Sequence, residues 1–63
     1  MLARQLEGLL RDHGFIHDRT SGSHRIYVKK GFPPISVPYH AGKDIKPGTL
    51  KNILKTAGIK CNT

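Results

Sequence analysis

With Cys61 as its only cysteine, this chain of 63 residues has no internal disulfide to hold it together. At this size apolar burial alone barely supports a fold, so most of the apolar side chains must go into one thin core. Metal does not fill the gap. His13 and His17 flank a helix stop and a strand start rather than sharing one helix, and the lone thiol sits near the C-terminus, so the common zinc-ligand spacings are missing. One domain over residues 1–63, with no metal and no other cofactor, is the expectation. The reduced cysteine suits the cytoplasm. The early Arg4 and Glu7 leave no secretory leader, and no apolar run approaches membrane-spanning length, so no membrane association is expected.

Hydrophobic spacing predicts the elements. Leu2, Leu6, Leu9 and Leu10 fall on one stripe of a helix over about residues 2 to 13, with Arg4, Glu7, Arg11 and Asp12 placed off it, and Gly14 ends it. Three extended segments follow, from Phe15 to Arg19, Ser23 to Lys29 and Pro34 to Pro38, divided by Thr20-Ser21-Gly22 and Lys30-Gly31-Phe32-Pro33. Ile26 with Val28, and Ile35 with Val37, alternate as in a sheet covered on one side. A hairpin that sets Val28 opposite Ile35 sets Ile26 opposite Val37 and His24 opposite Tyr39. After a polar loop from Tyr39 to Ile45, Pro47 suits the first helical position, and Leu50, Ile53, Leu54 and Ala57 form the inward stripe of a helix over about 47 to 57. Gly58 caps it, and Ile59 folds back over its last turn. The predicted class is α+β: an α-β-β-β-α order with two helices on one face of a three-stranded antiparallel sheet, which matches the double-stranded RNA-binding domain at the level of fold.

Charge narrows the partners. Eleven Lys and Arg face four Asp and Glu, a formal +7, and most of the excess follows residue 18. Such a field attracts polyanions, nucleic acid or an acidic protein that mimics it. No helix combines a basic face with a bulky aromatic one, which disfavours a membrane surface.

Gly22-Ser23-His24-Arg25-Ile26-Tyr27 is the most informative stretch. A histidine at a strand entrance is held by the sheet yet open to solvent, and it exchanges protons near neutral pH. Gly22 leaves room for a ligand against the backbone, and Ser23 can orient the imidazole or donate to a phosphate. The expected register carries His24 towards Tyr39-His40-Ala41-Gly42-Lys43, so His24, His40, Lys43, Lys46 and the start of the second helix at Gly48 converge. A helix N-terminus beside lysines suits a phosphate. RNA carries its own nucleophile in the 2′-hydroxyl, so one histidine and a cationic pocket suffice to cut it without metal; DNA lacks that group. Arg25 adds charge, and Tyr27 and Tyr39 either stack on unpaired bases or cover apolar sheet edges.

Three motifs now carry a resemblance: Asp12-His13-Gly14-Phe15; Gly22-Ser23-His24-Arg25-Ile26-Tyr27; and Val37-Pro38-Tyr39-His40 through Lys46-Pro47-Gly48-Thr49-Leu50 to Ala57-Gly58-Ile59. In this order, and at this length, the chain resembles the HicA family of messenger-RNA interferase toxins. The resemblance implies an endoribonuclease that cleaves messenger RNA, arrests growth and is restrained by a HicB-type antitoxin covering its active site, with the family's Gly-Ser-His histidine falling on His24. It assigns no role to His40 or Lys43, and the Lys29 to Pro34 hairpin departs from the family's Asp-Gly type of turn. The rival reading is a non-catalytic RNA-binding module of the same fold; a third is a domain whose basic face only docks an acidic partner. If phosphate contacts dominate, RNA affinity measured by fluorescence anisotropy falls by about tenfold or more as salt rises from about 50 to 200 mM.

Overall fold

In the computed structural model, which describes residues 1–39 and 43–59, the order is α1 (Ala3–Asp12), β1 (Ile16–Ser21), β2 (His24–Val28), β3 (Ile35–Pro38) and α2 (Pro47–Ala57). The α-β-β-β-α order and the antiparallel β1-β2-β3 sheet follow the expectation. No helix among the described residues is long and apolar enough to cross a membrane.

Local chemistry sets the boundaries. At the start of α1 the Leu2 N–H donates to Gln5 Oε1 at 2.8 Å, satisfying one donor at the helix entrance. At its end the Phe15 N–H donates back to the Leu10 carbonyl at 3.0 Å, turning the chain towards β1. Pro47 opens α2 as its first residue. Gly58 closes α2 at φ +72°, a left-handed position that favours glycine, and the Ile59 N–H reaches the Leu54 carbonyl at 2.9 Å, which buries Ile59.

The β2–β3 register differs from the expected one by a single residue. His24 pairs with Pro38, Arg25 with Val37, Ile26 with Ser36 and Tyr27 with Ile35, so His24 does not face Tyr39 and Val28 does not face Ile35. Because side chains alternate, this slip exchanges the faces of β2. Arg25 and Tyr27 turn towards the helices alongside Val37 and Ile35, while His24, Ile26 and Val28 turn to the face that no helix covers. The reason lies in volume and polarity. The Tyr27 ring, 1% exposed, fills the centre of the thin core better than Ile26 would, and its hydroxyl finds partners there.

The core consists of Ala3, Leu6 and Leu10 from α1, Phe15, Tyr27, Ile35 and Val37 from the sheet region, Ile45, then Ile53, Leu54 and Ala57 from α2, and Ile59. Ile45, expected in a polar loop, is drawn in because its N–H donates to the Met1 carbonyl at 2.9 Å and Asp44 bridges to Leu2. Glu7, expected off the apolar stripe, is buried with Ala3, Leu6 and Leu10. On the edge strand β1 the register shifts between His17 and Arg19, leaving Asp18 as the extra residue of a bulge. The register makes a testable distinction. Tyr27→Ala costs about 3–5 kcal/mol, enough to unfold a domain this small, whereas Ile26→Ala costs clearly less, as read from urea or thermal melts.

Candidate active site

His24 is the first residue of the central strand and is exposed. On one side it pairs with Ser21 and on the other with Pro38. The Tyr39 N–H donates to the Ser23 carbonyl at 2.7 Å, which makes His24–Pro38 a pair without ladder bonds of its own, the kind in which opposed side chains stand closest. That explains the proline. At such a position on an edge strand the missing N–H would have pointed away from β2, so its absence costs nothing. The imidazole therefore stands beside the Pro38 ring on the helix-free face.

The turn before His24 is Gly22-Ser23, two residues between Ser21 and His24. Gly22 has φ +59° at the first central position, where a tight hairpin of this hand calls for glycine, and a Cβ there would meet nothing within 4 Å. The glycine thus serves the turn and also leaves the approach to His24 open.

Pro38 lines a cavity of about 360 Å³ together with Lys43, Asp44, Ile45, Lys46 and Thr49. Lys46 is the N-cap residue of α2, and the N–H groups of Gly48 and Thr49 in the first turn have no acceptor within the helix. No acidic residue occupies that turn, and a Cβ at Gly48 would meet nothing within 4 Å. The end of β3 thus connects His24, through its cross-strand partner, to the two lysines and the helix start. His40, expected in the same cluster, lies outside the described residues, as do Ala41 and Gly42.

Arg25 and Tyr27 are placed differently from the expectation. Both face α1. Arg25 Nη1 donates to Glu7 Oε1 and Oε2, each at 3.1 Å, and the Tyr27 hydroxyl donates to Glu7 Oε1 at 2.6 Å. Arg11 Nη1 in turn donates to the Tyr27 oxygen at 3.1 Å. Buried as it is, Tyr27 offers no ring face to a base, and the Arg25 charge is met by Glu7 rather than left free for a phosphate. The Arg25 guanidinium also lies 4.0 Å from the centre of the half-exposed Tyr39 ring. These contacts hold Arg25 more firmly protonated than usual, chiefly through the Glu7 hydrogen bond.

This carboxylate network is what sequence reasoning missed. The signal was present: Glu7 lies four residues after Ala3 and three before Leu10, at helical spacing on the buried face. Among the described residues no three His, Cys, Asp or Glu side chains gather as a metal site would require.

Burial, and then the hydrogen bond to Glu7, push the Tyr27 phenol from 10.0 up to about 12. Its folded value lies above the unfolded one, so its contribution is complete below pH 10 and is lost as pH rises through about 12. Thermal melts followed by circular dichroism should show stability falling over that window, and Tyr27→Phe should flatten this component of the fall.

The family model described as HicA toxin of bacterial toxin-antitoxin matches residues 3–59. No curated protein matches the chain at a significant level.

Proposed function

The chain belongs to the HicA toxin family of bacterial toxin-antitoxin systems, and from that premise we propose that it is an endoribonuclease that cleaves messenger RNA without a metal ion, using His24 as its catalytic residue. The observation that carries this reading is the placement of His24: exposed at the entrance of the central strand, beside an open glycine turn, and one cross-strand partner away from a cavity lined by Lys43 and Lys46.

The chemistry asks for little more. A base removes the proton of a 2′-hydroxyl, the oxygen attacks the adjacent phosphorus, the bond to the 5′-oxygen breaks, and that oxygen takes up a proton. The products are a 2′,3′-cyclic phosphate and a 5′-hydroxyl. His24 acts as base, acid or both in turn. Lys43 and Lys46, with the first-turn N–H groups of Gly48 and Thr49, stabilise the charge that develops on the phosphate. Gly22 and Ser23 border the approach, and His40 is a candidate second proton carrier. The substrate is RNA in the cytoplasm, and the restraining partner is a HicB-type antitoxin that covers the basic surface around His24.

Purified protein is expected to cut a long unstructured RNA in excess EDTA and to leave DNA of the same sequence intact. His24→Ala abolishes cutting on denaturing gels while circular dichroism and most of the RNA affinity remain, and the same variant relieves growth arrest on induced expression. Undiminished cleavage by that variant sinks the assignment. RNA binding by wild type with no cutting would favour a non-catalytic module, and binding to neither RNA nor DNA at low salt would favour a docking domain.

A further inference from the structure

We propose that Glu7 and Arg25 are positioning residues for His24, a proposal that rests on His24 being the catalytic group. His24 occupies the last rung of the central strand on both of its sides, next to an exposed two-residue turn. Strand ends open locally more easily than strand centres, so the imidazole sits where the sheet alone is weakest at holding it. Catalysis by proton transfer needs the opposite, a ring kept within a fraction of an ångström of its working position.

A closed chain of contacts supplies that rigidity. Glu7 is buried on the inner side of α1 together with Ala3, Leu6 and Leu10, and is only 3% exposed. It holds both donors of this arrangement, the Arg25 guanidinium at 3.1 Å to each oxygen and the Tyr27 hydroxyl at 2.6 Å. Arg25 follows His24 directly and points to the opposite face, so anchoring its side chain to α1 anchors the backbone from which His24 projects. The same guanidinium lies 4.0 Å from the Tyr39 ring centre, and Tyr39 is the residue whose N–H holds the Ser23 carbonyl at 2.7 Å. The contacts therefore run from Glu7 to Arg25, to Tyr39, to Ser23, and reach His24 from both neighbours. One guanidinium nitrogen, Nη1, donates to both carboxylate oxygens while the guanidinium carbon lies over the Tyr39 ring, a pair of contacts that the compact ammonium of a lysine does not reproduce together.

The test uses the full chain carrying Arg25→Lys, Glu7→Gln and both together. Arg25→Lys and Glu7→Gln each lower kcat for RNA cleavage by about tenfold or more, and KM stays within about twofold of wild type. The double variant is no worse than the poorer single one. By nuclear magnetic resonance, carbon relaxation of the His24 ring reports greater mobility in each variant, while the ring of His13, bonded through Nδ1 to the Leu9 carbonyl at the far end of α1, is unchanged. A rise in KM with kcat unaltered would make Arg25 a direct phosphate contact and overturn the proposal, as would unchanged His24 mobility. Should Glu7→Gln fail to fold, Arg25→Lys, which keeps the charge, carries the test alone. Wild-type protein that cuts no RNA overturns the catalytic reading by itself, and the mobility comparison then decides the positioning claim independently.

Discussion

A buried carboxylate organises this small domain. Glu7 lies on the inner face of α1 among leucines, where an unpaired charge would cost several kcal/mol. It is tolerated because three hydrogen bonds from Arg25 and Tyr27 converge on its two oxygens. Those donors belong to the core-facing side of β2, so the carboxylate accepts only one register and one face of the central strand. A slip by one residue would bring Ile26 and Val28 beneath it and leave the charge unmatched. The apolar core makes the chain compact, and the Glu7 network makes that compaction specific.

The open face of the sheet follows from this. Once Arg25 and Tyr27 are committed to the helices, alternation sends His24 to the side without cover, next to Pro38 and Ser21. A histidine there is open to solvent, while its flanking backbone is tied through Arg25 and Tyr39 to the helix layer beneath. Adjacent residues are thus placed oppositely: Arg25 is turned inward onto Glu7, and His24 is turned outward and exposed. Lys43, Lys46 and the first-turn N–H groups of α2 that have no acceptor within the helix lie near the end of β3, where the chain leaves the rung that His24 shares with Pro38.

Much of the fold was legible in the sequence because it is encoded locally. The leucine spacing marked α1, Pro47 and Gly58 bounded α2, and the turn residues separated three short strands in the right order. His24 was legible as a candidate for the same reason, a histidine after a glycine turn at a strand entrance. Periodicity could not reveal which face of β2 is inward. Ile26 and Val28 make as plausible an apolar alternation as Arg25 and Tyr27 make a polar one, and hydropathy alone prefers the first. It takes the carboxylate from α1, 18 and 20 residues earlier in the chain, to make the second pattern the buried one.

The sequence by itself therefore determined the element order, the class of fold, the basic character of the chain and the presence of a candidate histidine beside an open turn, all of which depend on neighbours within a few residues. Tertiary structure decided the strand register, the inward commitment of Arg25 and Tyr27 and the side of the sheet on which His24 stands. Those depend on where a single buried charge finds its donors, a long-range condition that no local pattern contains.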